Sequence, residues 1–342
     1  MICIGILAYN EADAISHLLQ DLARQDLLLE ASNVAIEIRV LANGCMDDTA
    51  ALARAETDRI ALDHVKSFVH EIQQPGKANA WNHLVHELVA PKTTFLFMLD
   101  ADIRLPQRDS LRLVYERLMD SDHAIVAVDR PIRDLALRAQ KTLLDRIILV
   151  SAGTSTDIRS AITGQFYCAM FHALKNIRMP TGILVEDGFL RAMLLTSNFT
   201  TQEDRQLLLY VEGACHVFQA PRNVAEIFHH NVRLAVGTEV NRILYDHFTV
   251  HALSGAELED YIRRRNDENP RWVYEEVRSE IVRHPPFLAP RDHLGRRLAA
   301  LRRADGSYLR RVLAFTSGFL FDFAVFAYAA RALRRGNWGS LW

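Results

Sequence analysis

The chain has 342 residues, 49% hydrophobic and 24% charged, with a formal net charge of −2. These values suit one large globular domain or two smaller ones and give no global pull toward nucleic acid, so none is expected as a partner. Four scattered cysteines (Cys3, Cys45, Cys168 and Cys215) without a Cys-x-x-Cys pair argue against a zinc site or disulfide framework and fit a reducing compartment.

Residues 2–8 read as a buried first strand ending at Tyr9-Asn10-Glu11. No basic segment or cleavage site marks them as a signal peptide, so the main domain is expected to face the cytoplasm. Ile15, Leu18, Leu19 and Leu22 then recur at helical spacing, with Asn10 as a candidate N-cap. Residues 36–42 predict a second strand, ending at Asn43-Gly44-Cys45-Met46-Asp47-Asp48-Thr49, and a helix from about Asp47. A shorter strand is expected at 67–72, a turn at 74–77 and a helix over 78–89. Residues 94–99 form an apolar run that stops at Asp100-Ala101-Asp102, and 111–119 and 124–128 predict a helix and another strand. Strands alternating with helices through residue 130 predict a doubly wound, mostly parallel sheet.

The apolar run before Asp100 reads as a central strand covered on both faces. Open parallel sheets bind ligands beyond the carboxyl ends of their strands, where Asp100 and Asp102 lie. If the chain stays extended, both carboxylates point the same way. Such a pair suits Mg²⁺ or Mn²⁺ carrying a diphosphate, and a solvated strand end is the alternative. The first strand lacks a following Gly-x-Gly-x-x-Gly, which excludes a Rossmann dehydrogenase, and there is no Walker A loop.

Five segments together resemble the family 2 glycosyltransferases: Ala8-Tyr9-Asn10-Glu11, residues 43–49, residues 76–82, Asp100-Ala101-Asp102 and Glu186-Asp187. The resemblance spans roughly residues 2–237 and implies the GT-A fold: an α/β domain over 1–240 (1–130 nucleotide-binding, 131–240 acceptor-binding) with a helical appendage over 241–342. It implies an inverting transfer of one sugar from a nucleotide-diphospho-sugar to a hydroxyl acceptor, lipid-linked or not, in glycolipid or surface polysaccharide synthesis. Ala8, Tyr9, Asn10, Glu11, Asn43, Lys77, Asp100, Ala101 and Asp102 would line the donor site. Asn43 stands where many members carry Asp, which leaves the base open. Asp102 would be the more direct ligand of Mg²⁺ or Mn²⁺, joined by His230. Asp187 would be the general base, with Glu186 and Gly164 on the acceptor side. Caps at Asn10, Asn43 and Asp187, and a strand bend at Gly164, are the structural alternatives. Trp81 reads as packing.

The segment 228–237 resembles a degraded Gln-x-x-Arg-Trp motif in which Leu234 replaces the Trp, so processive synthesis is disfavoured and Arg233 is a candidate phosphate contact. Residues 254–311 look charged and helical, with Arg263-Arg264-Arg265, Arg296-Arg297, Arg302-Arg303 and Arg310-Arg311. Residues 312–330 are nearly all apolar around Asp322. This helix could span a membrane, lie on its cytoplasmic face, or dock on the protein. Two rival functions are a nucleotidyltransferase making a nucleotide sugar and a non-catalytic sugar- or nucleotide-binding protein of the same fold. The first strand lacks the Gly-rich basic loop that the former needs.

Overall fold

The structure, a computed structural model, describes residues 1–30, 33–142, 145, 158–283, 308–336 and 338. Its strands are β1 Ile2–Ala8, β2 Ile36–Asn43, β3 Val65–Ile72, β4 Phe95–Asp100, β5 Val126–Arg133, β6 Phe166–Met170 and β7 Leu208–Phe218. The helices are α1 Ile15–Leu22, α2 Asp26–Glu30, α3 Thr49–Thr57, α4 Lys77–His83, α5 Ser110–Met119, α6 Asp134–Leu137, α7 Phe171–Leu174 and α8 Glu186–Leu195. Then follow α9 Val224–Val250, α10 Gly255–Glu268, α11 Trp272–Arg283 and α12 Tyr308–Arg335.

The chain forms two compact units, each built from several stretches of the sequence. The first comprises Met1–Thr181, Glu186–Ala220 and Ala252–Glu268; the second comprises Gly182–Val185, Pro221–His251 and Asn269–Trp342.

The first unit holds one seven-stranded sheet in the order β3-β2-β1-β4-β6-β5-β7. All pairs are parallel except those of β6, which runs against both β4 and β5. Every residue of β1 is buried, as is every residue of β4 before Asp100, because helices cover both faces of the sheet there. Edge strand β3 instead alternates toward partial exposure. The helix expected over 78–89 is α-helical only to His83; Leu84–Leu88 continue as a π-helical turn.

The second unit is helical. Phe228 of α9 meets Phe321 and Tyr328 of α12 edge-on, with centroids 6.0 and 5.8 Å apart. Tyr274 of α11 stacks on Trp338 at 4.4 Å. The apolar run at 312–330 lies within α12, and among the described residues no helix is long and apolar enough to cross a membrane. Arg296-Arg297 and Arg302-Arg303 lie outside the described residues.

Candidate active site

Strand order reverses direction at β1: the chain passes outward to β2 and β3, then returns to β4 on the other side. That reversal opens a crevice at the carboxyl ends of β1 and β4. The register sets Leu7 beside Asp100 and Ala8 beside Ala42. Ala8, Asn43 and Ala101 are buried, while Tyr9, Asn10 and Asp102 are exposed.

The loop after β1 is stitched to the loop after β2. Asn10 adopts φ 53°, and its Oδ1 accepts from Met46 N at 2.8 Å. It therefore does not cap α1, whose N-cap is Ala14. Glu11 N donates to Thr49 Oγ1 at 2.8 Å and Ala12 N to Asp47 Oδ2 at 3.2 Å. Asp47 also accepts from Thr49, so its carboxylate is a loop clamp. Gly44, at φ 66°, allows the second loop to close, since a Cβ there would stand 2.9 Å from Pro75 Cβ. Asn43 is the last residue of β2, not a helix cap, and its Oδ1 is buried without a partner among the described residues.

The floor of the crevice is a charge cluster. Lys77 Nζ, in the first turn of α4, donates to Asp100 Oδ2 at 2.6 Å and to Gly164 O at 3.0 Å, and pairs with Glu186 Oε1 at 3.0 Å. Burial opposes the ammonium, but Asp100 and Glu186 outweigh it and hold the lysine above its ordinary pKa. Burial pushes Asp100 up to about 6 against the pull of Lys77, with Asp102 adding to the rise. The chain turns at Ala101-Asp102, so the two carboxylates do not share one extended strand face: Asp100 faces Lys77 while Asp102 is left in solvent.

Gly164 is where this cluster meets Asp187. A Cβ at Gly164 would sit 3.3 Å from each of Asp187 Cβ, Glu186 Oε1 and Lys77 Nζ, so only a bare backbone lets these groups converge without displacement. Glu186 and Asp187 open α8, and Asp187 Oδ1 accepts from Gly188 N at 2.8 Å. Trp81 is buried and donates Nε1–H to Tyr167 Oη at 2.7 Å, beside the same cluster.

Around the rim the carboxylates crowd. Burial first, then Asp102, Asp100, Asp47 and Asp13, pushes Glu11 up to about 7. Such a negative field, with oxygen donors only, fits a hard divalent cation. Among the described residues no group of three or more His, Cys, Asp or Glu could hold a metal by itself. Mg²⁺ in particular binds through one or two carboxylates completed by substrate phosphates and water, and Asp102 with Asp100 meets that requirement. His230 lies exposed on α9, in the second unit. Arg233, on the same helix, donates to Leu184 O through Nε and Nη2, both at 3.3 Å.

The sequence reading did not single out Asp129, His216 and Gln165. His216 Nδ1 lies 2.7 Å from Asp129 Oδ1, and Nε2 faces Gln165 Oε1 at 3.4 Å. Gln165 O in turn accepts from Asp100 N at 2.9 Å. The strand pattern hid them, because Asp129 sits within a shift of the β5–β7 register. A carboxylate closing the apolar run 126–128 and an imidazole between Cys215 and Val217 were the available signal.

A crevice at a sheet reversal, with an acid turn at its wall and an acid pair opening a helix beside it, fits the GT-A fold. Residues 3–178 match the family described as Glycosyl transferase family 2, and the chain belongs to that family. Its fold is similar to that of the mannosyltransferase PcManGT from Pyrobaculum calidifontis, determined with GDP-Man and Mn²⁺: 14% identity, 97% of this chain and 86% of that one covered, TM-score 0.55. Residues 1–349 of TarS from S. aureus give 14% identity, 98% and 92% coverage, and a TM-score of 0.47. Glucosyl-3-phosphoglycerate synthase from Mycobacterium tuberculosis, with Mg²⁺ and UDP, gives 15%, 69% and 77%, and 0.45. No curated protein is similar enough in sequence to count as a relative.

Proposed function

We propose that this glycosyltransferase is an inverting, metal-dependent hexosyltransferase. It moves one sugar per acceptor from a nucleotide-diphospho-sugar to a hydroxyl group in glycolipid or surface polysaccharide synthesis. The observation that carries the reading is the convergence at Gly164, where Asp187 stands beside the cluster that fixes Asp100.

Asp187 takes the proton of the acceptor hydroxyl as its oxygen attacks the anomeric carbon. The bond to the diphosphate breaks on the opposite face, and the configuration inverts. A placed carboxylate of this kind contributes about 10²–10⁴-fold. Lys77 fixes Asp100 and Glu186. Asp102, with Asp100 behind it, would hold Mg²⁺ or Mn²⁺, which when bound neutralises charge building on the leaving diphosphate. His230 is kept as a further candidate ligand. Ala8, Tyr9, Asn10, Glu11 and Ala101 shape the donor crevice, and the unpartnered Oδ1 of Asn43 supports a hydrogen bond to the base. Glu186 and Gly164 form the acceptor side. Leu234 in place of the processive Trp supports single transfer. Four free cysteines support a cytoplasmic reaction, with a lipid-linked acceptor presented at the membrane's cytoplasmic face.

The test is nucleotide diphosphate release from a panel of nucleotide sugars with Mn²⁺ or Mg²⁺. Release with one donor, abolished in Asp102→Ala, is expected. Pyrophosphate formation from a sugar phosphate and a nucleoside triphosphate would instead identify a nucleotidyltransferase, and donor binding without release a binding protein.

A further inference from the structure

Helix α12 presents two unlike faces. Val325, Ala329, Ala332 and Leu333 are buried, and Trp338 beyond its end is buried against Tyr274. On the other side Phe319, Leu320, Phe323 and Tyr328 are 42%, 61%, 66% and 45% exposed. With exposed Ala324 and Ala327 they fall within one half of the helix circumference, Phe319 and Tyr328 at its two margins. That half runs straight into Arg331, Arg334 and Arg335, all exposed and without an ion pair among the described residues. Asp322, the charge that makes a spanning helix costly, sits about a quarter-turn from Phe323 on the half-covered side.

We propose that this face of α12 is a docking surface for an anionic lipid bilayer, on which the helix lies in the plane of the headgroups. Aromatic and aliphatic side chains on one half of the circumference, followed by unpaired cations, are what an interfacial helix needs. Phe and Leu enter the acyl boundary, Tyr328 sits at its polar edge, and the arginines meet lipid phosphates. A second copy of the chain fits less well, because the exposed face carries no carboxylate to meet the arginines. Phe228 holds α12 through Phe321 and through Tyr328 at the margin of the exposed half, so that half belongs to a docked helix and not a frayed end. The inference does not depend on the glycosyl transfer reading, since it concerns residues outside the catalytic crevice.

The test is co-sedimentation of the full chain with phosphatidylcholine vesicles, with and without phosphatidylglycerol. Binding is expected to the anionic vesicles and to weaken with salt. The triple variant Arg331→Gln, Arg334→Gln, Arg335→Gln removes exposed, unpaired charges and should lose about fivefold in affinity per arginine. Leu320→Glu with Phe323→Glu should abolish binding, with helicity by circular dichroism as the folding control. Failure to bind anionic vesicles overturns the proposal. So does equal binding by wild type and the arginine variant, or a dimer in sedimentation velocity that the glutamate variant splits. Sugar transfer to a water-soluble acceptor should be unchanged in the arginine variant, which separates loss of docking from loss of the active site.

Discussion

His216 Nδ1 lies 2.7 Å from Asp129 Oδ1, and neither side chain reaches solvent. The imidazole is stacked on Phe166 at 5.7 Å and tilted against Phe218 at 6.0 Å. The pair reaches the site through Gln165, whose carbonyl accepts from Asp100 N. His216→Phe keeps the stacking but leaves a buried carboxyl unpaired, so unfolding in urea should show a loss of about 1–3 kcal/mol. Adding Asp129→Leu removes the orphaned group and should recover much of that stability. Transfer should stay low in both variants, because Gln165 remains unanchored. Recovery of activity together with stability would show the pair to be core packing only.

Lys77→Met leaves Asp100 and Glu186 facing each other without their shared cation. Loss of one partner from a largely buried ion cluster costs about 3 kcal/mol, and donor binding should weaken with it. Without the ammonium, which pulls it down, Asp100 holds its proton more tightly in the folded state. The deficit should therefore be largest at neutral pH and shrink as pH falls toward 5. Thermal melts of both proteins across that window check this; a pH-independent gap would contradict it.

Glu11 is raised from 4.5 to about 7 and Asp100 from 3.8 to about 6. A group with a raised folded pKa favours folding below its unfolded value and loses that contribution as pH rises through the folded one. The metal-free protein should accordingly lose stability between about pH 4.5 and 7. A bound divalent cation favours the ionised carboxylates, so Mn²⁺ with nucleoside diphosphate should bind more tightly at pH 7.5 than at 5.5 and release protons. Calorimetry in buffers of different ionisation enthalpy counts those protons. Chelation should restore the metal-free pH profile.

For Asp187→Asn the amide still accepts from Gly188 but cannot take a proton. Donor affinity should stay within a few-fold of wild type while turnover falls about 10²–10⁴-fold. Single-turnover transfer measured beside donor calorimetry separates the two. Unchanged turnover would remove Asp187 from the role of base.

Much of this was legible in the sequence, for identifiable reasons. The strands β1, β2 and β4 announce themselves because central parallel strands are apolar on both faces and stop at polar residues. Edge strand β3 and the bulged β5 are half-exposed, and their bounds came out short. Asn10 looked like a cap because its residue type suits one; its positive φ and its bond to Met46 belong to a contact between loops 36 positions apart. Likewise, sequence spacing suggested that Asp100 and Asp102 act as a matched pair. Only the reach of Lys77 across from α4 shows one carboxylate already engaged. The Asp129–His216 pair was missed since its partners lie 87 residues apart.

Strand β6 runs against its neighbours, so it begins, rather than ends, at the edge where β4 and β5 finish. The described strand ends Arg133 and Phe166 therefore both lie toward the crevice side. Gly164, two residues before β6, is thereby set beside Lys77 and Glu186. A single reversed strand thus lets Lys77 and Gly164, 87 positions apart, meet at one end of the sheet.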